Sequence, residues 1–429
     1  MIATIYYPDT AQLKKLLLRP SGNNTAVMSD VNTIIRNVKE QGDKALLQYN
    51  RQFDAYTSSA IEVTQDEWRK GADNIPDDLK KAIEIAIGNI ETFHFSQKEE
   101  TKFITTTDGV SCWRKSVGIE RVGIYIPGGS APLFSSLLML AVPAKIAGCK
   151  DIVMCTPPGT TGVINSAILY AALRTGVKRV FKIGGAQAIA AMAYGTETIL
   201  KVYKIFGPGN QYVTAAKMLV QADGVAIDLP AGPSELAVLA DETCVPAFVA
   251  ADLLSQAEHG PDSQVLLLTN SEEVIQKVKS ELEDQIKCLP RKEIAKAALV
   301  NSKAILIKNI DEGINIINEY APEHLIIATR NTDELAEHIV NTGSVFLGNY
   351  TPESAGDYAS GANHTLPTNG YAKAYSGVSL DSFVKKITFQ KITPMGIGNL
   401  GNTIEQMAIA EGLQGHARAV TVRTKNLKQ

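Results

Sequence analysis

From about residue 118 to residue 347, short runs of β-branched and other apolar residues alternate with glycine- and proline-rich turns. Most of these turns lead into alanine-rich or amphipathic helical segments. Strands this short, apolar along their whole length and each followed by a helix, bury both faces only in a parallel sheet covered by helices. One series of strands is expected at Gly118 to Ile126, Asp151 to Cys155, Arg179 to Ile183, Val202 to Phe206 and Val225 to Asp228. A second is expected at Leu236 to Leu239, Gln264 to Leu268, Ala304 to Ile307, His324 to Ala328 and Ser344 to Leu347, separated by charged helices such as Ser271 to Glu283 and Thr332 to Val340. The expected fold class is therefore α/β, with two incomplete doubly wound parallel sheets that meet near Leu229-Pro230-Ala231-Gly232-Pro233.

Outside this region the texture differs. Between residues 29 and 97 apolar positions recur at three- and four-residue spacing, as in Val31-Ile34-Ile35-Val38 and Ile83-Ile85-Ala86-Ile90, and predict amphipathic helices. The last fifty or so residues, from about Asp381, read as a helical extension. The expected division is a helical segment over 1–110, a first α/β domain over 111–233, a second over 234–380 and the extension over 381–429. At roughly 150 residues per domain, a chain of 429 residues accommodates this.

Composition removes several function classes. With 42 Lys+Arg against 45 Asp+Glu the net charge is −3, which leaves no positive excess to hold a nucleic acid by counterion release. The five cysteines form no C-x-x-C pair, so neither a zinc ribbon nor a redox dithiol is written here, and reduced thiols point to the cytoplasm. The N-terminus carries Asp9, and after Lys14-Lys15 only the short apolar run Leu16-Leu17-Leu18, so nothing there is expected to mark the chain for export. Leu133 to Ala144, the longest mostly apolar stretch, falls well short of the roughly 20 residues a membrane span needs.

Glycine and proline concentrate at the ends of the first series of strands: Pro127-Gly128-Gly129, Pro157-Pro158-Gly159, Gly184-Gly185-Ala186-Gln187 and Gly207-Pro208-Gly209-Asn210. Ligands of doubly wound sheets bind beyond the carboxyl ends of the strands, where glycine lets backbone N–H groups approach a phosphate. The G-x-G-x-x-G fingerprint is not matched, because Tyr212 stands where the third glycine would be. Tight turns alone would also account for these glycines.

Four of the six histidines lie in unusual settings: Gln256-Ala257-Glu258-His259-Gly260, Ala321-Pro322-Glu323-His324, the Gly/Ser-rich stretch from Asp357 to His364, and Glu411 to His416. His94 and His338 sit in ordinary helical patterns and receive no role. A helix starting near Pro246 and stopping at Gly260-Pro261 would put Gln256 and His259 on one face, where both can reach one metal ion. A histidine that complements a helix C-terminus is the plainer alternative. Asp357 is a candidate oxygen ligand, and Glu323 with His324 forms an acid–base pair if a turn presents both to one cleft. Mixed nitrogen and oxygen donors suit Zn²⁺, which has no redox chemistry and would leave any oxidation to a separate electron acceptor. A zinc hydrolase with Glu323 as water-activating base is the competing reading, and a non-catalytic binding protein a third.

The ordered motifs Gly123-Ile124-Tyr125-Ile126-Pro127-Gly128-Gly129, Gly184 to Ala188, Gly207 to Asn210, Asp228 to Ser234, Gln256 to Gly260, Ala321 to Leu325 and Glu411 to His416 resemble those of the histidinol dehydrogenases, in order, from about residue 110 to the C-terminus. The resemblance implies Rossmann-like sheets and a homodimeric enzyme that uses one Zn²⁺ per subunit and NAD⁺ to oxidise L-histidinol to L-histidine through the aldehyde, the last step of histidine biosynthesis. It implies Gln256, His259 and Asp357 as zinc ligands together with His416 reaching in from the other subunit, and Glu323 and His324 as the catalytic pair. Tyr125, Gln187 and Asn210 match NAD contacts, and Ser234, His364 and Glu411 match substrate contacts. His324 would take the alcohol proton and Glu323 would activate the water that hydrates the aldehyde. A thiohemiacetal on Cys112, Cys149 or Cys155 is the covalent alternative.

Overall fold

The computed structural model describes residues 2–19, 24–57, 59–128, 132–159, 161–230 and 232–427. Gly129 and Ala231, both within motifs quoted above, lie outside the described residues. Fourteen strands are described: β1 (Ala3–Tyr6), β2 (Phe103–Thr107), β3 (Val110–Gly118), β4 (Arg121–Tyr125), β5 (Asp151–Thr156), β6 (Arg179–Lys182), β7 (Lys204–Phe206), β8 (Ala226–Ile227), β9 (Glu235–Ala240), β10 (Gln264–Thr269), β11 (Lys303–Leu306), β12 (His324–Ala328), β13 (Ser344–Leu347) and β14 (Val384–Ile392). They form a first parallel sheet in the order β6-β5-β4-β7-β8 and a second, also parallel, in the order β1-β11-β10-β9-β12-β13. The fold is α/β with two Rossmann-like parallel sheets, as the alternation predicts.

Burial explains the strand texture. Every residue of β9, β10 and β12 is buried, as apolar runs covered on both faces must be. The apolar stretch near residue 140 is helix Phe134–Ile146, in which Ser135 through Ala144 are all buried. It packs against helices Asp77–Phe95 and Ser166–Thr175. Helix Asn24–Gln41 lies on helices Gly185–Tyr194 and Gln211–Ala222 and so covers the first sheet, whereas Leu13 of helix Thr10–Leu16 packs on the core of the second. Among the described residues no helix is long and apolar enough to cross a membrane.

Several expectations need correction. The N-terminal segment is not only helical: β1 pairs with β11 at the edge of the second sheet. The C-terminal extension opens with β14, which runs antiparallel to β3 from Val384↔Gly118 to Ile392↔Val110 in a third sheet, β14-β3-β2. Three lysines and a glutamine in this strand hide its pattern, and its pairing rests partly on aromatic contacts such as Trp113 stacked on Phe389 with ring centroids 5.5 Å apart. Ile85 points outward, and the buried stripe of its helix is Ile83, Ala86, Ile87 and Ile90. The helix expected over Thr332 to Val340 is the single turn Thr332–Ala336.

One connection decides where a site can form. The chain leaves the carboxyl end of β8 and enters the amino end of β9 after only Asp228 to Ser234. Eight residue steps reach at most about 29 Å. The carboxyl edge of the first sheet and the amino edge of the second therefore lie near one another.

Candidate active site at the facing edges of two sheets

Helix Ile310–Tyr320 ends at Ala321, which adopts the left-handed conformation at φ 52°, and Pro322 then prevents any continuation. This turn delivers Glu323 and His324 to the amino end of β12, both buried. A neighbouring turn has to come very close: a Cβ at Gly343 would sit 2.5 Å from Glu323 O, so only glycine fits there. Glu323 Oε2 accepts from the Glu235 N–H at 2.9 Å and lies 3.6 Å from His324 Nδ1. Of the two arrangements left open by the sequence, the turn presents both side chains to one cleft.

His324 Nδ1 donates to the Glu235 carbonyl at 3.3 Å, which leaves Nε2 facing the carboxylates, 3.7 Å from Asp357 Oδ1 and 3.9 Å from Glu353 Oε1. With Nδ1 protonated, the Gln256 amide is best satisfied with its nitrogen donating to Glu353 Oε1 at 2.9 Å and its oxygen accepting from the Glu235 N–H at 3.1 Å. Helix Pro246–Ala257 carries Gln256 in its last turn, with Pro246 in its first. His259 lies just past its end and is exposed, so the two do not share a helical face as the spacing suggested. Asp357 and Glu353 share the short helix Glu353–Tyr358, and the Glu353 carboxylate is fixed by the Ser255 hydroxyl at 2.7 Å. His364 Nδ1 donates to the Asp357 carbonyl at 2.9 Å, and its Nε2 accepts from the Ser136 hydroxyl at 3.0 Å, a bond that joins the helix after β4 to the cluster. Ser234 is half-buried, immediately before β9.

The electrostatics are those of acids crowded around one imidazole. Burial pushes Glu323 up to about 7, with His324 and the Glu235 N–H pulling the other way. Burial also raises Glu353. Asp357 is held well below the usual carboxylate range: burial opposes its ionisation, but the bond to His324 and the charges of His364, His324 and His259 outweigh it. Burial disfavours the protonated form of His324, yet Glu323, Asp357 and Glu353 together raise it well above the ordinary value. In His259 and His364 desolvation prevails over the attraction of Asp357, and both are lowered.

His259, Glu353 and Asp357 each offer one ligand atom, and these lie within 4.8 Å of one another. One imidazole and two carboxylates make a mixed nitrogen and oxygen donor set that fits a divalent cation such as Zn²⁺. The C-terminus of helix Pro246–Ala257, which brings Gln256 and His259, adds partial negative charge in favour of a cation.

Across from the cluster, the carboxyl edge of the first sheet opens into a cavity of about 1280 Å³, roofed by helices Asn24–Gln41 and Asp43–Phe53. Tyr125, Gln187 and Asn210 all line it. Tyr125 accepts from the Gly185 N–H at 3.0 Å, and burial pushes its hydroxyl up to about 12, so it stays neutral. The Asn210 oxygen caps helix Gln211–Ala222 by accepting from the Tyr212 and Val213 N–H groups, which leaves its amide nitrogen for a ligand. Gly207 has φ 126°, and a Cβ there would lie 2.0 Å from Tyr125 O. The Gly207 turn is gripped on both sides: its N–H donates to Asp228 at 2.8 Å, its carbonyl accepts from Lys217 Nζ at 2.9 Å, and Lys217 pairs with Asp228 in the interior.

Residues 17–424 match the family model described as histidinol dehydrogenase. The histidinol dehydrogenase of Bacteroides thetaiotaomicron is 60% identical over 428 residues, covering 100% of each chain, and that of Escherichia coli K12 is 50% identical over 421 residues, covering 97% of this chain and 96% of the other. A crystal structure of histidinol dehydrogenase from Elizabethkingia anophelis superposes with a TM-score of 0.98 at 55% identity, covering 100% of this chain and 99% of that one. The chain belongs to the histidinol dehydrogenase family. It is an oxidoreductase.

Within this histidinol dehydrogenase fold, two of the residues singled out in the sequence stand apart from the cluster. Glu411 and His416 are exposed on the C-terminal arm, whose helices Pro394–Ala410 and Gln414–Asn426 pack on each other and on β2 and β14. Among the described residues, no hydrogen bond or ion pair joins their side chains to the other site residues. Conversely, Glu353, Glu235 and Lys217 were not found by sequence reasoning. Glu353 carried a signal, since it precedes Asp357 by one helical turn, whereas nothing local marks Glu235 or Lys217 as different from other charged residues.

Proposed function

We propose that this enzyme converts L-histidinol to L-histidine through L-histidinaldehyde in histidine biosynthesis, passing two hydrides to NAD⁺, with one Zn²⁺ per subunit, as a cytoplasmic homodimer. The observation that carries this reading is the convergence of Glu323, His324, His259, Glu353 and Asp357 at one sheet edge. The cavity at the facing edge supports it. Gln256, His259 and Asp357, with His416 of a second subunit, would hold the zinc, and Glu353 stands close enough to share it. Bound there, the ion would supply positive charge that fixes the imidazole and amine of the substrate.

The proton work falls to the chain. With the negative charge that raises it offset by a divalent cation held by Asp357, His324, anchored through Nδ1 to the Glu235 carbonyl, would take the hydroxyl proton at Nε2 as hydride leaves the carbinol carbon. Glu323, which burial brings near neutrality, takes a proton from the water that adds to the aldehyde. A second hydride then leaves the gem-diol, and four electrons in all have been transferred. His364, Ser234 and Glu411 would contact the substrate, and Tyr125, Gln187 and Asn210 the dinucleotide. The proposed division follows the sheets: 111–233 for the dinucleotide, 234–380 for zinc and the catalytic pair, 1–110 as cover and 381–429 as an arm reaching the partner's site. Exposed Met395, Met407, Ile409, Leu413 and Val422 on that arm support an association surface.

The test is absorbance at the NADH wavelength after adding histidinol and NAD⁺. Two NADH per histidinol are expected, and a hydrolase would give none.

A further inference from the structure

Glu235, the first residue of β9, touches both members of the proposed pair through its backbone while its side chain points elsewhere. Its N–H donates to Glu323 Oε2 at 2.9 Å and its carbonyl anchors His324 Nδ1 at 3.3 Å. Its carboxylate, only 1% exposed, is gripped by the guanidinium of Arg19, Nε to Oε1 at 2.7 Å and Nη2 to Oε2 at 3.0 Å. The Asn369 N–H adds a bond to Oε1 at 2.8 Å. Arg19 also donates from Nη2 to Tyr320 O at 2.6 Å and Ala321 O at 3.4 Å, and lies 4.0 Å over the Tyr320 ring. It thus holds the carbonyls on either side of the left-handed Ala321, an uncommon conformation for a residue with a Cβ that persists only where its surroundings enforce it. The segment bearing Arg19 is itself tied down: β1 pairs with β11, and Gln264 Nε2 donates to Leu18 O at 3.2 Å.

We propose that Arg19 is a positioning residue for the oxidation: one guanidinium fixes both the strand start that orients His324 and the turn that delivers Glu323. This rests on the reading of Glu323 and His324 as the reacting pair. The planar fork is essential, because it meets a carboxylate bidentately and two carbonyls at once, which an ammonium cannot do.

The experiment compares full-length Arg19→Lys, Arg19→Ala and Glu323→Gln with the parent protein for kcat, KM, zinc content and thermal unfolding. Displacement of a reacting group by about 1 Å costs on the order of 100-fold, so kcat should fall by about that factor in both Arg19 variants, with the KM for NAD⁺ and the zinc content unchanged. Guanidinium ion added to Arg19→Ala should restore kcat at least in part, and should do nothing for Arg19→Lys, where the ammonium fills the space. Should Arg19→Ala fail to fold, Arg19→Lys decides. Wild-type kcat in Arg19→Lys, or a folded Arg19→Ala that guanidinium does not improve, overturns the proposal. If instead Glu323→Gln turns over normally, it is the underlying assignment of the pair that falls.

Discussion

The two parallel sheets are built alike, and the proposed function uses them at opposite ends. In the first, that end is the carboxyl edge, where helices Gly185–Tyr194 and Gln211–Ala222 begin beside the cavity. In the second, it is the amino edge, where helices Pro246–Ala257 and Ile310–Tyr320 end. Helix N-termini favour anions and C-termini favour cations, each worth about 0.3–1 kcal/mol at exposed sites. The pyrophosphate of a dinucleotide suits the first edge and a divalent ion the second. The rule that ligands of open α/β sheets gather at the carboxyl ends thus covers only half of this molecule, and the short link from β8 to β9 is what lets the other half work from the wrong end.

If the amino edge does the proton chemistry, Glu323→Gln is the variant with the largest effect. Turnover should fall by about 10²–10⁴-fold while histidinol still binds, as measured by NADH production and calorimetry. Unaltered turnover would break the comparison outright. Next, Asp357→Asn should weaken metal binding by at least about 10-fold, read as zinc content after dialysis, with NADH fluorescence on binding unchanged because the cavity does not share that residue. Deleting residues 402–429 should likewise remove zinc and activity together. An active, zinc-loaded monomer would show that the amino edge needs nothing from a second subunit.

The same contrast explains what was legible in the sequence. The first edge is written in local patterns: Gly184-Gly185 and Gly207-Pro208-Gly209 follow their strands directly, so both the turns and their ligand-facing role can be read from neighbouring residues. The strands of both sheets were readable for a similar reason, since full burial leaves continuous apolar runs. The second edge is assembled from Gln256, Glu323 and Asp357, far apart in sequence, and the family resemblance linked them without pointing to Glu353, one helical turn before Asp357. Glu235 was invisible because its contribution to the cluster is made by backbone atoms, which every residue has. β14 was read as helix because its lysines face solvent on an exposed sheet, so that burial never imposed the alternation on which a strand reading depends.

On the first edge, Gly207→Ala sharpens the comparison from the other side. A Cβ there collides with Tyr125 O, and the φ of 126° is unsuited to alanine, so the turn must move. The KM for NAD⁺ should rise by about tenfold or more, on the premise that losing one good ligand contact costs about 1.4 kcal/mol. Zinc content and histidinol binding should stay as they were. An equal loss of zinc would show that the two edges are one cooperative unit.

The smallest effects are expected at the cysteines. A covalent thiohemiacetal would move the aldehyde step from the second sheet's carboxylate to a thiol outside that sheet, which requires an accessible thiolate. Burial pushes Cys149 up to about 11, and raises fully buried Cys155 further. Cys112 lies on β3, in the antiparallel sheet opposite Gln390 and Ile104. Replacing each of the three by serine in turn should leave both the first and the second NADH within about twofold of the parent rate, resolved by stopped-flow, with any loss confined to thermal stability where a hydroxyl replaces a buried thiol. Abolition of the second NADH alone, in any one of them, would take the aldehyde step away from the second sheet and undo the assignment of all proton chemistry to its amino edge.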